Sequence, residues 1–355
     1  MADEVRYGVI GTGMMGIEHI LNIAAIPDTS VVAISDPWEG SRNWALDTIR
    51  DQGGDPDGIA VFEDHQALLD AGGCDAVVVA SPNMTHIDVA LDVVAAGVPL
   101  LLEKPMCTEV ADAQRLTDAV DAAQAMVWVG LEYRYMPPIA RLISEVSAGA
   151  AGRVHMVAIR EHRYPFLKKV GDWNRFNRNT GGTLVEKCCH FFDLMYLLAG
   201  AEPTRVMASG GQSVNHLDES YNGETPDIAD NAFVIVDFAN GVRGMLDLCM
   251  FAEGSRNEQE VAVTGDRAKI EAFVPEAMMR IADRTTGQGP DIDISDDSIT
   301  YQGFHHGSSL LEHRAFLEAV RTGGEPKVTV RDGLRSVVMG AAAHESIDTG
   351  QIITL

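Results

Sequence analysis

The chain has 355 residues, a length that usually divides into two domains, and its 46% of hydrophobic residues is ordinary for a globular protein. Lys and Arg number 27 against 52 Asp and Glu, so the formal net charge is −25. This acidity makes nucleic acid and anionic membranes poor partners, because both carry negative charge themselves.

The sequence offers few signs of targeting or of metal binding. No apolar stretch reaches about 18 residues and Met1–Arg6 is polar, so we expect no signal peptide and no membrane span and predict a cytoplasmic protein. The cysteines are odd in number and lack Cys-x-x-Cys spacing, which indicates a reduced compartment. They are Cys74, Cys107, Cys188, Cys189 and Cys249. Neighbouring helical residues point about 100° apart, so Cys188, Cys189 and His190 would not converge on one ion, and we predict no metal site.

A glycine-rich stretch follows the first apolar strand, Val5–Ile10, and opens a helix that we expect to end near Ala25. Gly-x-Gly-x-x-Gly between a strand and a helix is typical of a dinucleotide-binding turn. Gly11 allows the tight turn, Gly13 lets the backbone approach a pyrophosphate at the helix amino terminus, and Gly16 lets helix and strand pack closely. The candidate cofactor-binding residues of this stretch are Gly11, Thr12, Gly13, Met14, Met15 and Gly16.

An aspartate ends the second predicted strand, Val31–Ser35. Asp36 comes twenty residues after Gly16, where a carboxylate binds the ribose hydroxyls of NAD and repels the 2′-phosphate of NADP. A strand-ending Asp is often only a helix cap, and Asp36-Pro37 leaves that alternative open. We predict the ribose role and NAD as the cofactor.

A second strand-end loop joins the predicted strand Asp75–Ala80 to the helix Ile87–Ala96. It belongs at the same edge of the sheet as the glycine turn, because the carboxyl ends of parallel strands meet there. Its candidate cofactor-binding residues are Ser81, Pro82, Asn83, Thr85 and His86. For His86 two interpretations stay open: a contact with the nicotinamide half of the cofactor, or a surface residue.

Glu103-Lys104-Pro105 follows the apolar run Val98–Leu102, so a charged pair lies at the carboxyl end of a buried strand. Pro105 disfavours the helical conformation for Lys104 and presents it from a stiff backbone. We include Glu103 and Lys104 among the candidate cofactor-binding residues, and Lys104 among the catalytic ones. The simpler alternative is a surface strand end with a salt bridge.

Strands and helices alternate through the first 131 residues, and a last strand, Met126–Gly130, makes six. This order predicts an amino-terminal α/β domain, residues 1–131, with a doubly wound parallel Rossmann sheet.

Longer strands in series follow, so we predict that residues 132–355 form an α+β domain with a mostly antiparallel open sheet. The predicted strands are Arg153–Arg160, Thr204–Gln212, Asn231–Phe238, Val242–Phe251 and Glu258–Gly265. Asn240-Gly241 is a hairpin signal, and Asn215–Asp227 and Arg284–Ser298 are polar loops near a ligand or an interface. Both faces of Met245–Phe251 are largely apolar, whereas a one-layer antiparallel sheet normally leaves one polar, so we predict a homodimer or homotetramer.

The stretch Gly181–Asp193 combines a Gly-Gly pair with an apolar helical stripe. Glu186, His190 and Asp193 have i, i+4, i+7 spacing and would share one face of a single helix. Such a face needs a partner or a ligand if it is buried. The alternative is a solvated polar face.

Over essentially its whole length the chain resembles the Gfo/Idh/MocA oxidoreductases, named for glucose-fructose oxidoreductase and inositol dehydrogenase. The resemblance rests on the glycine turn, on Glu103-Lys104-Pro105, and on the Gly-Gly pair followed by an acid and, four residues later, a histidine. It implies NAD or NADP on the first domain, a substrate carbinol held between the domains, and Lys104 and His190 as the groups that handle the proton. This chain has Glu186 where the family usually has Asp, and Cys188 where it usually has Gly.

The resemblance also implies contacts outside these motifs. Trp173 and Arg175 lie in a segment similar to the tryptophan-containing loop that approaches the nicotinamide in relatives, and His306 precedes the final helices, where relatives often place a substrate-binding group. The candidate catalytic residues are Lys104, His190 and Glu186. The candidate substrate-binding residues are Lys104, Asn174, Lys187, His190 and His306.

We therefore predict an NAD-dependent dehydrogenase that oxidises a secondary hydroxyl of a cyclic polyol or sugar, such as an inositol, a hexose or a glycoside, to a ketone. One alternative is an enzyme of the same family that retains NAD and performs a net non-redox reaction, such as glycoside cleavage or epimerisation. The other is a non-catalytic NAD-sensing protein.

Overall fold

The computed structural model describes residues 4–355, except the side chain of Gln288; Met1–Asp3, part of the polar start noted above, lie outside the described residues. The chain forms two compact units. The first contains the residues up to Glu132 together with Lys169–Trp173 and Ile299–Val337, and the second contains the remainder. The domain boundary predicted after residue 131 stays a prediction, and Ile299–Val337 packs with the first unit.

The first unit is built on a parallel sheet that has, within the described residues, six strands in the order β3-β2-β1-β4-β5-β6. The strands are β1 Val5–Ile10, β2 Thr29–Ser35, β3 Ala60–Phe62, β4 Ala76–Val79, β5 Leu100–Leu102 and β6 Val127–Val129. This order is that of the doubly wound dinucleotide-binding fold. Every residue of β4 and β5 is buried, as expected for strands covered by helices on both faces.

The helices of the first unit lie between and after these strands. They are α1 Met14–Ala24, α2 Glu39–Asp51, α3 His65–Ala71, α4 His86–Ala96, α5 Val110–Ala123 and α10 Ser308–Thr322; α11, Val330–Thr349, continues from the first unit into the second. α4 ends at Gly97, whose positive φ of 71° favours glycine. Every helix of the described chain is too short or too polar to cross a bilayer.

The second unit contains a mostly antiparallel sheet, and the described residues contribute nine strands in the order β14-β13-β12-β11-β7-β10-β9-β8-β15. These are β7 Val154–His162, β8 Pro203–Gly211, β9 Asn231–Phe238, β10 Arg243–Cys249, β11 Gln259–Gly265, β12 Ala268–Val274, β13 Met278–Asp283, β14 Gly287–Asp293 and β15 Ile353–Thr354. β7 and β10 pair in parallel, and the other neighbours pair antiparallel. The hairpin predicted at Asn240-Gly241 joins β9 to β10.

The loop predicted over Arg284–Ser298 is wrong in part, because β14 lies within it and pairs with β13. β12 and β13 precede it and were not predicted at all. β14 has the sequence Gly-Gln-Gly-Pro-Asp-Ile-Asp, which carries little strand propensity of its own. Its conformation follows from pairing with β13, which a local pattern does not reveal.

The single helix expected across Glu186, His190 and Asp193 is also wrong. The second unit's helices are α6 Pro137–Ser147, α7 Asn177–Thr180, α8 Thr183–Glu186 and α9 Cys189–Ala199. The chain is irregular between α8 and α9, where the Cys188 N–H donates to Thr183 O five residues back, at 3.3 Å. The i, i+4, i+7 face therefore does not exist as one regular surface.

The core of the second unit lies between α9 and one face of the sheet. Phe191 and Phe192 of α9 are buried with Leu246 and Leu248 of β10. The opposite face of the sheet carries exposed apolar side chains. These are Met156 at 56% exposure, Phe233 at 64%, Ile235 at 42% and Met245 at 39%.

Candidate active site

The glycine turn of the first unit has the geometry that its spacing predicts. Gly11 has a positive φ of 85°, and a Cβ there would lie 2.5 Å from the backbone nitrogen of Ser81; a Cβ on Gly16 would lie 2.0 Å from Gly11 O. A Cβ on Gly13 would meet nothing within 4 Å. Gly13 immediately precedes α1, so open space lies in front of the amino terminus of that helix.

Asp36 lies beside this turn and holds its backbone. One carboxylate oxygen accepts the Thr12 N–H at 2.8 Å, and the other accepts the Trp38 N–H at 2.8 Å, just before α2. Asp36 therefore braces the start of α2 and also lies at the glycine turn, so the capping interpretation and the ribose interpretation are compatible.

The loop from Ser81 to His86 lies next to the glycine turn, as the close approach of Gly11 to Ser81 demonstrates. The hydroxyls of Ser81 and Thr85 are 2.7 Å apart, and Thr85 also donates to Pro82 O. Asn83 is buried. This arrangement places the predicted cofactor-binding residues of two strand ends at one edge of the sheet.

His86 is not a surface residue, so that interpretation is wrong. Its side chain is buried, with Nδ1 2.8 Å from Pro105 O and Nε2 3.0 Å from Ser81 O. Burial lowers the pKa of His86. The imidazole thereby ties the Ser81 loop to the segment that contains Lys104.

Glu103 is buried and anchors the backbone of Lys104. Its carboxylate accepts the Lys104 N–H at 3.0 Å and lies 2.9 Å from Nε2 of His19; Nδ1 of His19 is 2.8 Å from Nε2 of His313 in α10. Burial by itself raises the pKa of Glu103, but the hydrogen bond from His19 and the charges of His19 and Lys104 outweigh it and hold that pKa at about 2. Glu103 is therefore an ionised carboxylate directly before Lys104.

His306 lies in the segment that leads into α10, with a positive φ of 55°. Its neighbour His305 places Nδ1 3.0 Å from Glu132, which also accepts a hydrogen bond from the Ser309 hydroxyl. The segment is thus fixed to Glu132, three residues after the end of β6, within the first unit.

The backbone conformation at both positions, and the lack of room for a side chain at the second, favour glycine in the Gly-Gly pair of the second unit. Gly181 and Gly182 have positive φ angles of 77° and 85°, and a Cβ on Gly182 would lie 2.3 Å from Nε2 of His344. The same His344 nitrogen accepts the Leu184 N–H at 3.0 Å, which holds the start of α8. Glu186 ends this helix and is buried.

His190 lies in α9 and is stacked on Tyr133. The two ring centroids are 4.0 Å apart and the rings are 9° from parallel. Asp193, the third residue of the predicted face, instead forms a buried ion pair with Arg134. The structure therefore separates Asp193 from the role that its spacing predicted.

Lys187 is buried and has two protein partners. Its Nζ lies 2.5 Å from the Tyr133 hydroxyl and 3.0 Å from Oε1 of Glu161. The predicted contact between Lys187 and substrate stays a prediction; in the structure the ammonium lies against Tyr133.

Trp173 ends the segment Lys169–Trp173 of the first unit, whereas Asn174 and Arg175 belong to the second. Asn174 is buried and donates to Leu167 O at 3.0 Å. The Arg175 guanidinium is buried and pairs with Glu219 at 3.0 Å. Burial raises the pKa of Glu219, but hydrogen bonds from His216, Tyr221 and Arg175 hold it at about 2. Arg175 is therefore fixed from one side by a carboxylate of the loop Asn215–Asp227.

His19, Tyr133 and Glu161 are the contacts that sequence reasoning missed. Two of them carried a signal. Glu18-His19 interrupts an apolar helix with two buried polar residues, and Glu161 continues the inward register of Val157 and Ile159 on β7. Tyr133 carried none, because an aromatic residue after a strand is ordinary.

The residues of the first unit fit a dinucleotide. Thr12 Oγ1 and Asn83 Nδ2 are buried and have no hydrogen-bond partner among the described residues. Thr12 directly precedes Gly13, and Asn83 belongs to the loop whose Ser81 lies against Gly11. Polar atoms that are buried in this way normally bind something. The fold and this turn together define a dinucleotide-binding α/β protein.

Comparison with known proteins gives the family. Residues 5–131 match the family described as "Oxidoreductase family, NAD-binding Rossmann fold", and residues 143–355 match "Oxidoreductase family, C-terminal alpha/beta domain". The chain belongs to the Gfo/Idh/MocA oxidoreductases, as its resemblance implied, and is an NAD-binding oxidoreductase.

Several relatives match over nearly the whole length. A myo-inositol 2-dehydrogenase of Thermotoga maritima is 27% identical over 354 residues, which cover 99% of this chain and 98% of that protein. A scyllo-inositol 2-dehydrogenase (NAD(+)) of Bacillus subtilis is 25% identical, with coverage of 100% and 97%. A levoglucosan dehydrogenase solved in complex with NADH and levoglucosan has a TM-score of 0.84 at 21% identity, with 99% of each chain covered, and supports the fold.

Proposed function

We propose that the protein is a dehydrogenase that oxidises a secondary hydroxyl of a cyclic polyol or sugar to a ketone, with NAD as the acceptor. The observation that carries this proposal is the placement of Lys104, which follows β5 and whose backbone is held by the buried, ionised Glu103. An anchored cation at the carboxyl end of a central strand is suited to act on a reacting oxygen.

In this proposal bound NAD would be the hydride acceptor. Lys104 hydrogen-bonds the substrate hydroxyl, and one general base, either the neutral amine of Lys104 or the imidazole of His190, takes the hydroxyl proton as the carbon–hydrogen bond is broken. The hydrogen on the carbon leaves with both electrons of its bond, as hydride transferred to NAD, and the base takes the hydroxyl proton, so that the carbonyl group of the ketone remains. In the reverse direction the Lys104 cation stabilises the negative charge that develops on the carbonyl oxygen.

His190 and Glu186 belong to the second unit and have separate roles in the proposal. The stacked, buried imidazole of His190 is the partner of Lys104 in proton transfer. Glu186 orients His190 or a substrate hydroxyl. Its side chain is one methylene longer than the Asp usual in the family, so this role depends on where the carboxylate of α8 reaches.

The substrate class is inferred from two kinds of support. The full-length relatives carry the names of dehydrogenases of myo-inositol and scyllo-inositol, and a further relative from Pseudarthrobacter phenanthrenivorans carries that of levoglucosan dehydrogenase. Arg175 and Asn174 each hold a buried polar atom with no hydrogen-bond partner among the described residues, namely Nη1 and Oδ1. Such atoms suit ligands with several hydroxyls. We also propose that the protein forms a homodimer or homotetramer and is located in the cytoplasm.

The direct test is a substrate screen with the purified full-length protein. Inositols, hexoses and levoglucosan are each incubated with NAD, and NADH formation is followed by absorbance. We expect one cyclic polyol or sugar to give NADH and ketone in equal amounts. If none does and NAD co-purifies with the protein, the proposal fails in favour of the redox-cycling alternative; if none does and NAD is freely exchanged, it fails in favour of NAD sensing.

A further inference from the structure

The contact between His190 and Tyr133 is the starting observation. The rings are 9° from parallel with centroids 4.0 Å apart, and both side chains are about 1% exposed. Tyr133 is the first residue of the second unit and lies 57 positions before His190, so the contact depends entirely on the tertiary fold. A parallel face-to-face contact constrains the plane of the imidazole, because any tilt of one ring would meet the other.

Behind Tyr133 lies a buried charged network. Lys187 Nζ is 2.5 Å from the Tyr133 hydroxyl and 3.0 Å from Glu161, which is fully buried. A second cation, Arg163, lies 3.7 Å from the same Glu161 oxygen and 3.8 Å from Glu258. The Tyr133 ring is therefore held at its hydroxyl end by an ammonium that is itself fixed by a carboxylate.

The chain brings Lys187 into this network at the irregular junction between α8 and α9. Lys187 stands directly after Glu186 and three residues before His190, at the end of the short helix that the Gly-Gly pair and His344 hold in place. The segment that presents the two candidate catalytic residues of this unit thus also supplies the ammonium beneath Tyr133.

We propose that Tyr133 and Lys187 are positioning residues for His190: Lys187, anchored by Glu161, holds the Tyr133 ring, and the ring fixes the plane in which His190 meets the substrate hydroxyl. This inference rests on the proposed function, because it assumes that His190 takes part in proton transfer. Neither Tyr133 nor Lys187 needs to touch the substrate. Packing alone does not require the arrangement, since an apolar pair would fill the same space without the cost of burying an ammonium and a carboxylate.

Three variants test separately the ring of Tyr133, its hydroxyl, and the charges of Lys187 and Glu161. Tyr133→Leu removes the stacked ring, and Tyr133→Phe keeps the ring but loses the hydrogen bond to Lys187. Lys187→Met combined with Glu161→Gln removes both charges together, so that no carboxylate is left uncompensated. Phe238→Leu is the matched control, because Phe238 is a buried aromatic residue of β9 in the same core.

Turnover is measured with NAD and the polyol or sugar that gives the most NADH in the screen of myo-inositol, scyllo-inositol and levoglucosan. We expect Tyr133→Leu to lower kcat by about 10-fold or more without changing KM for NAD, since misplacement of a catalytic group by about 1 Å costs up to ~10²-fold. Tyr133→Phe, which keeps the ring, should retain most of the wild-type kcat. The double variant of Lys187 and Glu161 should lie between them. Phe238→Leu should lower thermal stability and leave kcat unchanged.

The decisive measurement is the combination of Tyr133→Leu with His190→Ala. If Tyr133 acts through His190, the combined variant should be no slower than His190→Ala alone. Multiplied losses, or a fall in kcat for Phe238→Leu equal to that for Tyr133→Leu, would overturn the inference. A His190→Ala variant with full activity would instead overturn the proposed role of His190, so the two failures are distinguishable.

A spectroscopic signature tests the stack without a substrate. In NMR spectra of histidine-labelled protein, with the His190 signal identified by its absence in His190→Ala, the Tyr133 ring should shift the His190 ring protons upfield. Tyr133→Phe should keep that shift and Tyr133→Leu should abolish it. An unchanged His190 signal in Tyr133→Leu would contradict the positioning role even if the protein folds.

Discussion

The imidazole of His19 lies 2.9 Å from the carboxylate of Glu103, which comes 84 residues later in the chain, and both side chains are buried. The contact joins the helix that follows the glycine turn to the strand end that presents Lys104. It therefore links the helix after the glycine turn, where we propose that the cofactor phosphates bind, to the proposed catalytic residue Lys104.

This pair makes the first unit sensitive to acid. The folded pKa of Glu103 is about 2, below the value of about 4.3 of an unfolded chain, so its contribution is complete above the unfolded pKa and is lost as the pH falls towards 2. We expect Glu103→Gln to lower the urea midpoint at pH 7 and the difference from wild type to shrink between about pH 5 and 2. All four tryptophans lie in the first unit, so their fluorescence reports the unfolding of that unit. A difference in urea midpoint between Glu103→Gln and wild type that does not change with pH would contradict the role of ionised Glu103.

Lys104→Ala tests the proposed chemistry. We expect NAD binding to stay nearly intact while turnover falls by ~10²- to 10⁴-fold, the range for a lost general acid–base group. His190→Ala should cost a similar factor, and the double variant less than the product, because the proposed mechanism has both groups act on one hydroxyl. Lys269→Ala, an exposed lysine on β12, is the control. Near-full turnover of Lys104→Ala would refute the assignment.

Asp36 should make NAD strongly preferred over NADP, because a 2′-phosphate beside its carboxylate meets like charge. Asp36→Asn keeps an oxygen that can accept the Thr12 N–H but removes the charge. The ratio of the dissociation constant of NADPH to that of NADH should therefore fall by about 10-fold or more, and a 10-fold change corresponds to about 1.4 kcal/mol of binding free energy. Dissociation constants for NADH and NADPH, measured by fluorescence, report this. Glu63→Gln, a change at an exposed carboxylate near Arg42, should have no comparable effect. Equal use of both cofactors by the wild type would show that Asp36 has another role.

Glu186→Gln distinguishes a structural from a functional carboxylate. If Glu186 orients His190 or a substrate hydroxyl, turnover or substrate affinity should fall while the thermal transition stays in place, since the amide keeps the size of the side chain. Steady-state kinetics on the best substrate, with a melting curve on the same preparation, give both quantities. Unchanged kcat and KM would show that Glu186 only stabilises α8.

The exposed face of the second unit's sheet bears on assembly. Phe233 and Ile235 of β9 lie beside Met245 of β10 on this face, and apolar side chains at this density favour a second copy of the chain. We expect light scattering at micromolar concentration to give a dimer or tetramer, and Phe233→Glu to shift it towards the monomer. Leu217→Glu, at an exposed loop leucine of the same unit, should not. A wild-type monomer would refute the prediction.

Local patterns in the sequence suffice for the parallel sheet of the first unit and its glycine turn, but not for the packing of Ile299–Val337 with that unit. Apolar runs identify β1 and β4, and the spacing of Gly11, Gly13 and Gly16 specifies a turn that only glycine can form, because a Cβ on Gly11 or Gly16 would overlap backbone atoms. The rule that parallel strand ends meet at one edge then brings Ser81 to Gly11, as the structure confirms. These inferences succeed because each depends on residues that are near one another in sequence or on a general property of the fold.

The partners of the charged residues could be decided only by the tertiary structure. The sequence alone determined that the chain has a dinucleotide-binding α/β domain followed by an antiparallel sheet, and that Lys104 and His190 are the residues to examine. Only the fold showed that Glu103 binds His19, that Lys187 is buried against Tyr133 and Glu161, and that Glu186 and His190 lie in separate helices. The reason is physical: secondary structure follows from periodicity within a few residues, whereas a buried charge is stabilised by whichever opposite group the fold brings to it.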